Sequence, residues 1–393
     1  MKVAVVLPEL DPHQGGGFTF QNTLFDALRA AEPSSRHSFT FYSAGARREG
    51  QMRPLPMGRR ADLARALHNF TRHLEDEVLA IPRHLSRRTA FERSLERDGS
   101  ELVWFATPWA ADCDVPYIFT VWDLEHLRQP WFPEVSAGGE FELRQRHYGR
   151  YLPKASAVIA ANAAGTDQVM RWFGVPRERI IELPHPTPEL GSGDGDGDGA
   201  AGPDATPYLF YPAQLWAHKD HATLLHALRE LADRGRDYRL VLTGSDKGLG
   251  VHLRGLAAEL GVSDRVEFRG FVPNEELAAL YRGAHALTFP SRFGPENLPP
   301  LEAFTLGCPV VVADVPGIRE QLGDGALFVP VGDAGALADA VVALERGEAR
   351  ESLVRAGVER ARDASAANYV SAVLSWIDDF EPTVRLWRAP AGR

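Results

Sequence analysis

Two loops of the 393-residue sequence combine residues that could bind a phosphate. Lys219 precedes a segment with helical spacing, and an ammonium group there is a good point charge for a diphosphate. Pro299 and Pro300 fit the first turn of another helix, because proline lacks the amide hydrogen that would go unpaired there. The backbone amides around Asn297 and Leu298 would then point towards an anion, together with the positive end of the helix dipole.

Glu302 and a run of glycines add to this set. Glu302 falls in the first turn of the same predicted helix, where a carboxylate either caps the helix or accepts hydrogen bonds from a ribose diol. Gly16 and Gly17 follow the first apolar run and precede a helix expected near Thr19, so the backbone there could approach an anion. A dinucleotide fingerprint is disfavoured because Phe20 occupies its third glycine position. A solvated lysine and a merely structural glycine turn remain the alternative interpretations.

Short apolar runs bounded by turn residues must position these loops. KVAVVL, SFTFY, ELVWFA, YIFTVW and SAVIAA occur in the first half, and YLFYP, RLVLTG, VEFRGF, ALTFP and PVVVA in the second. Each is followed by a longer segment with helical spacing, which is typical of parallel sheets covered by helices. The sequence therefore predicts an α/β fold with two doubly wound domains. Ligands are expected beyond the carboxyl ends of their strands.

A stretch rich in Gly, Asp and Pro separates the two halves. It predicts a linker at residues 188–206, between a first domain at 1–187 and a second at 207–371. The alternating Asp194, Asp196 and Asp198 lack the closing glutamate of a calcium loop, so a solvated linker is favoured.

Composition narrows the class of protein. The formal net charge is -10, which argues against nucleic acid as a partner, and 44% of residues are hydrophobic, enough for sizeable cores. Two distant cysteines, Cys113 and Cys308, fit a reducing cytoplasm, and no signal peptide is expected. No apolar run is long enough to span a membrane. The arginine-rich segment 59–79 predicts a helix that either packs on its own domain or touches an anionic membrane surface.

Residues 266–320 and 151–186, the stretch YPAQLWAHKDH and the glycine loop resemble the retaining glycosyltransferases of family 4. The resemblance implies the GT-B architecture, in which two Rossmann-like domains face each other. The second domain would bind a nucleotide sugar and the first an acceptor. The final helix, at about 372–393, would cross back to join the first domain.

The resemblance also implies roles for individual residues. Lys219 would neutralise the departing diphosphate, and Glu302 would hold the ribose. The amides of Asn297 and Leu298 would take the phosphates, while Gly16 and Gly17 approach from across the cleft. Backbone around Phe271 and Val272 would touch the base.

Three positions depart from the family pattern. Gln214 stands where the family usually has arginine, so Lys247 or an arginine elsewhere would have to supply that charge. Trp122 replaces a frequent histidine before the matching Asp123, which is expected to be catalytic. Trp122, Glu125 and His126 are candidates for acceptor binding. Gly294 occupies the place of an acid that would touch the donor sugar, and Glu296 is the nearest substitute.

The reaction implied is transfer of a hexose-like sugar from a nucleoside diphosphate to an acceptor hydroxyl, with retention of anomeric configuration. No metal and no cofactor beyond the nucleotide sugar are expected. The acceptor would be a small molecule, a glycan or a lipid-linked glycan, and the location cytoplasmic with at most peripheral contact with the inner membrane face. A sugar-nucleotide epimerase and a catalytically weak sugar-nucleotide-binding protein are the alternatives.

Overall fold

A computed structural model describes residues 1–8, 16–43, 52–55, 89–187, 206–294 and 297–387. Within these ranges the chain forms two β-sheets in which every paired strand runs parallel to its neighbour. Helices connect the strands, as required when parallel strands are joined by crossovers. The predicted α/β fold with two doubly wound sheets is confirmed.

The first sheet has seven described strands in the order β3-β2-β1-β4-β5-β6-β7. They are β1 (Lys2–Val6), β2 (Ser38–Ser43), β3 (Arg53–Pro54), β4 (Leu102–Phe105), β5 (Tyr117–Thr120), β6 (Ala157–Ala160) and β7 (Ile180–Glu182). Every residue of β4, β5 and β6 is buried, which explains why these strands are apolar on both faces. The strand order reverses between β1 and β4, and a crevice for ligands is expected there.

The second sheet has the order β10-β9-β8-β11-β12-β13. Its strands are β8 (Tyr208–Pro212), β9 (Arg239–Thr243), β10 (Val266–Gly270), β11 (Ala286–Phe289), β12 (Val310–Ala313) and β13 (Ala326–Val329). The order reverses between β8 and β11. Lys219 and Asn297 follow these two strands in the chain, so the predicted phosphate-binding loops lie at the reversal point.

The helices pack on both sheets. Those described are α1 (Gly16–Ala31), α2 (Ala90–Asp98), α3 (Glu125–Arg128), α4 (Pro133–Ser136), α5 (Glu140–Tyr151), α6 (Ala163–Phe173), α7 (His221–Asp233), α8 (Gly250–Glu259), α9 (Asn274–Gly283), α10 (Leu298–Thr305), α11 (Ile318–Leu322), α12 (Ala334–Ala343), α13 (Gly347–Asp363) and α14 (Ala366–Arg385). In α7, Leu224, Leu225 and Leu228 are buried, as the helical spacing after Lys219 predicts. None of the described helices combines the length and apolar character needed to cross a membrane.

Helix α14 lies on the first sheet although it follows the second in sequence. Its Tyr369, Val373 and Ile377 are buried in one cluster with residues of β1 and α1. The two chain crossings between the sheets touch, because the Thr187 amide donates to the Ala364 carbonyl oxygen (2.7 Å). The predicted domain limits remain predictions. The proposed linker, apart from residue 206, and the arginine-rich segment 59–79 lie outside the described residues.

Candidate functional site

A cavity of about 1020 Å³ lies between the two sheets, at the carboxyl ends of their strands. Trp122 and Asp123 line it from the loop after β5. The opposite wall includes Lys219 after β8, Phe271 after β10 and Glu302 on α10. Most of the residues predicted to bind the donor are therefore brought together in one cleft.

Lys219 carries the positive charge of this cavity. It ends a single 3-10 turn, Ala217–Lys219, whose last carbonyl oxygen accepts a hydrogen bond from the Tyr211 hydroxyl (2.9 Å). Its Nζ lies 3.4 Å from Asn297 Oδ1 and 5.2 Å from the centroid of the Phe289 ring. Burial lowers the pKa of Lys219 to about 8. Among the described residues that line the cavity, Lys219 is the only lysine or arginine.

The start of α10 lies beside Lys219 and offers fewer amides than the sequence suggests. Pro299 and Pro300 stand in the first turn as predicted, and they remove two of the amide hydrogens that a helix start normally presents. The Asn297 amide donates to Gln321 Oε1 (3.1 Å), so it is not available to a phosphate in this conformation. In this conformation the Leu298 amide is the one left to face an anion, and the predicted role of Asn297 in donor binding stays a prediction. The Asn297 side chain faces Lys219 instead.

Glu302 lies deeper in α10 than predicted. No acidic residue occurs in the first turn of this helix, so Glu302 does not cap it and the capping interpretation is wrong. Its side chain lines the cavity, and its Oε2 accepts a hydrogen bond from the Tyr281 hydroxyl (2.6 Å). Burial raises the pKa of Glu302 to about 7. A buried carboxyl group that reaches a cavity is suited to accept hydrogen bonds from a diol.

Two features of the structure favour glycine at position 294. Its φ of 119° belongs to a backbone region that side chains rarely adopt. A Cβ placed there would lie 2.8 Å from Asn297 Oδ1. An acid at this position would therefore displace Asn297, the residue that contacts Lys219. Glu296, its predicted substitute, lies outside the described residues.

The remaining donor-site candidates also reach the cavity. Gln214, Phe271 and Val272 line it, and Gln214 Oε1 accepts a hydrogen bond from Trp216 Nε1 (2.8 Å). Phe271 is more than half exposed, whereas Val272 is buried. Lys247 is not among the residues lining the cavity, and its Nζ lies over the Trp216 ring at 5.5 Å. It therefore does not replace the charge absent at Gln214 in this conformation.

The first-domain wall is formed by α1 and the loop after β5. Helix α1 begins at Gly16, three residues earlier than expected, and Gly17 lines the cavity. Asp123 also lines it, with Oδ1 accepting hydrogen bonds from the Glu125 amide (3.0 Å) and from Arg144 Nη1 (3.1 Å). These contacts fix the orientation of the Asp123 carboxylate. Its predicted catalytic role stays a prediction.

Glu125 and His126 do not line the described cavity, which corrects their prediction as acceptor-binding residues. The short helix α3 turns both into the protein, where Glu125 is 1% and His126 0% exposed. Glu125 Oε2 accepts a hydrogen bond from Gln129 Nε2 (3.0 Å). The His126 ring stacks on Tyr148, with centroids 5.6 Å apart. Both side chains therefore support the loop rather than face a ligand.

Two histidines in the cavity were missed by sequence reasoning. His185 packs edge-on to Phe20 (5.0 Å), and Phe20 packs edge-on to Trp122 (5.7 Å). His218 directly precedes Lys219. Burial lowers the pKa of each histidine to about 4, so both are neutral near pH 7. The short apolar run before His185 could have predicted strand β7. His185 would then have been expected just beyond the carboxyl end of that strand.

Similarity to known proteins agrees with this geometry. Residues 200–360, less than half of the chain, match the family described as "Glycosyl transferases group 1". The matched stretch contains all six strands of the second sheet. The chain is 29% identical over 292 residues to a D-inositol 3-phosphate glycosyltransferase of Nocardia farcinica, which covers 71% of this chain and 63% of that protein. The matched part spans about three fifths of the length of such curated relatives.

Solved structures share the fold over nearly the whole chain. Sucrose-phosphate synthase from Thermosynechococcus elongatus is 20% identical, with a TM-score of 0.68, covering 98% of this chain and 99% of that one. HepE of Anabaena, in complex with UDP and glucose, is 14% identical, with a TM-score of 0.63, covering 97% of this chain and 100% of that one. At such identities the likeness shows the fold alone, and that fold is GT-B, as predicted.

Metal binding was not expected. Across the described residues, no group of three or more His, Cys, Asp or Glu side chains is arranged to hold a metal ion. The expectation that the reaction needs no metal stays a prediction.

Proposed function

We propose that this protein transfers a sugar from a nucleoside-diphosphate sugar to an acceptor hydroxyl, with retention of configuration and without a metal. The observation that carries this proposal is the Lys219 ammonium group, held in the cavity beside the start of α10 and facing the first-domain wall. The group 1 family match supports it. Lys219 would bind the diphosphate, and Glu302 the ribose diol of the same nucleotide.

The proposed chemistry uses the leaving group as the base. The bond between the sugar C1 and the diphosphate oxygen breaks, and charge builds up on the diphosphate beside Lys219 and the Leu298 amide. The acceptor oxygen bonds to C1 on the face that the diphosphate leaves, and its proton passes to a diphosphate oxygen. Asp123 would orient the acceptor hydroxyl. Because both bonds involve the same face of the sugar, its configuration is kept.

The first-domain wall favours an acceptor with a ring. Trp122 and Phe20 present aromatic surface to the cavity, which suits the apolar face of a sugar or cyclic polyol. Small-molecule, glycan and lipid-linked acceptors all meet this description. A cytoplasmic location with at most peripheral membrane contact remains part of the proposal.

The function is tested by ligand-induced stabilisation followed by product analysis. UDP, GDP, ADP, dTDP and their sugars are screened for an increase in melting temperature, because selective binding stabilises the folded state. The stabilising nucleotide sugar is then incubated with cyclic polyols and sugars, and the new anomeric linkage is determined by NMR. Inversion would contradict the proposed mechanism. Conversion of the donor without an acceptor would indicate an epimerase, and binding without turnover a binding protein.

We expect kcat/KM for the nucleotide sugar to rise with pH through about 7 and to fall above about 8. Below the raised pKa of Glu302 the carboxyl group is protonated and cannot accept both diol hydrogens. Above the lowered pKa of Lys219 the amine is neutral and no longer attracts the diphosphate. The cavity histidines titrate near 4 and do not contribute. Initial rates measured from roughly pH 5.5 to roughly pH 9.5 give the profile of the free enzyme, because this range includes the pKa values of both groups.

Two variants connect this profile to its residues. Lys219→Arg should remove the decrease at high pH, because a guanidinium group stays charged throughout. Glu302→Gln should remove the increase at low pH. If the activity of Lys219→Arg still decreased at high pH, the role given to Lys219 would be contradicted. If the activity of Glu302→Gln still increased with pH at the low end, the role given to Glu302 would be contradicted.

Replacing Trp122 by alanine should raise the KM for the acceptor about fivefold, consistent with the roughly 1 kcal/mol contributed by an aromatic contact. Donor binding should not change, because Trp122 lies on the opposite wall. Trp387→Ala, at an exposed site beyond α14, is the control. Equal acceptor KM values for the wild type, Trp122→Ala and the control would rule out an acceptor subsite at Trp122.

A further inference from the structure

A short segment of the first domain lies against the two second-domain loops that carry Lys219 and Gly294. We call this segment, residues 129–134, the clasp. Gln129 Nε2 donates a hydrogen bond to the Arg292 carbonyl oxygen (3.1 Å). The Phe132 ring packs edge-on to the Phe293 ring, with centroids 5.5 Å apart. The clasp therefore contacts both the backbone and the aromatic side chain of the loop that leads to Gly294.

The end of the clasp binds the residue before Lys219. Glu134 Oε1 accepts a hydrogen bond from the His218 backbone amide (2.7 Å) and also contacts His218 Nδ1. The Glu134 side chain is only 7% exposed. The His218 ring stacks on Phe293, with centroids 3.9 Å apart and planes 13° from parallel. Both second-domain loops thus meet at His218 and are held there by a first-domain carboxylate.

The Ala217–Lys219 turn has few other anchors. Within the second domain, the Arg292 amide donates to the His218 carbonyl oxygen (2.8 Å), and the Tyr211 hydroxyl donates to that of Lys219 (2.9 Å). From the opposite domain, Glu134 supplies the hydrogen bonds to this turn, and the Phe132 ring packs edge-on to His218 with centroids 6.3 Å apart. If the domains separated, the His218 amide would lose its charged acceptor, and a hydrogen bond to a charged group is stronger than one between neutral groups.

We propose that Glu134 is a positioning residue, which holds the Ala217–Lys219 turn and with it the Lys219 ammonium group in the cavity when the two domains are docked. The inference rests on the proposed function, since it concerns how the diphosphate site is formed. Donor affinity would then depend on domain docking. By reciprocity, a bound nucleotide would strengthen the contact between the domains.

The chemistry of the pair fits this role near neutral pH. Burial lowers the pKa of His218, so its imidazole is neutral and Nδ1–H can donate to the carboxylate. Burial acts to raise the pKa of Glu134, but the hydrogen bonds from His218 outweigh it and the net change is downward. Glu134 is therefore a charged acceptor. Glu125 holds the other end of the clasp through Gln129, which gives this buried acid a structural role.

The test measures nucleotide affinity in full-length variants by calorimetry with UDP, GDP, ADP and dTDP. Glu134→Ala should weaken the binding of whichever nucleotide the wild type binds by about tenfold. Asp112→Ala is the matched control, because Asp112 pairs with Arg150 on the surface of the same domain. Its affinity should equal that of the wild type. Glu134→Gln keeps an oxygen acceptor for the His218 amide and should lose less affinity than Glu134→Ala.

A double-mutant cycle separates positioning from a general structural effect. In a Lys219→Ala background, Glu134→Ala should cause no further loss, because its effect passes through Lys219. A loss that adds in full to that of Lys219→Ala would overturn the inference, and so would wild-type affinity in both Glu134 variants. A wild-type protein that binds none of the four nucleotides would instead overturn the proposed function itself.

Discussion

Replacing Lys219 by alanine should lower kcat/KM for the nucleotide sugar at least about tenfold, equivalent to ~1.4 kcal/mol of transition-state stabilisation. The physical reason is that Lys219 is the one lysine or arginine among the described residues lining the cavity. With Gln214 in the place of a second cation, no other described side chain of the lining offsets the charge that develops on the diphosphate. Partial burial strengthens this interaction, because fewer water molecules screen it. Steady-state kinetics with saturating acceptor measure the change.

Lys247→Ala provides the matched control for this experiment. Lys247 is an exposed lysine of the same domain that lies over Trp216 and outside the described lining. Its removal changes the net charge by the same amount, so it accounts for any long-range electrostatic effect. A loss in Lys247→Ala equal to that in Lys219→Ala would show that the diphosphate does not bind where we propose.

The Glu302→Gln variant should combine lower activity with higher stability. Activity should fall about tenfold or more, because an amide replaces one strong acceptor of the ribose diol by a weaker group. The pKa of Glu302 is raised to about 7 in the folded protein. Its stabilising contribution is therefore fully present below the pKa of an unfolded glutamate, and it is lost as pH rises through about 7.

At pH 8 the ligand-free wild type thus carries a buried charge that the glutamine variant lacks. The variant should be more stable there by an amount on the order of 3 kcal/mol at most, and the difference should vanish near pH 4. Chemical denaturation at both pH values measures this, and Glu275→Gln, an exposed acid on α9, is the control. Lower stability of Glu302→Gln at pH 8 would contradict a raised pKa, and unchanged activity would remove Glu302 from the donor site.

The fold was predictable because its main signal is local. Ten apolar runs predict ten of the described strands, since a strand buried on both faces contains few polar residues. Strands β3, β7 and β13 were not predicted. β3 is a two-residue strand, Arg53–Pro54, whose pairing with β2 depends on its position and not on its composition. In β13, Leu327 and Phe328 are only partly buried. The sequence of this strand therefore lacks the signature of a strand buried on both faces and resembles that of an apolar loop.

The wall of the cavity formed by the second sheet was more predictable than the wall formed by the first. Lys219, Leu298 and Glu302 follow strands whose carboxyl ends are fixed by the topology, and all three reach the cavity. The loop after β5 was harder, because the direction of Glu125 and His126 depends on the four-residue helix α3. The hydrogen bond of the Asn297 amide was not predicted because its acceptor, Gln321, lies 24 residues later in sequence. Such contacts are set by tertiary packing and leave no local pattern.

The two chain crossings between the sheets have a consequence for motion. Residue 187 enters one crossing, and the other joins α13 to α14 at residues 364–365. The Thr187 amide and hydroxyl bond to the carbonyl oxygens of Ala364 (2.7 Å) and Ala361 (3.3 Å), so the crossings are tied together. Two adjacent covalent connections favour rotation about a shared hinge over sliding of one sheet past the other. Opening of the cleft would then be mainly a rotation about this hinge.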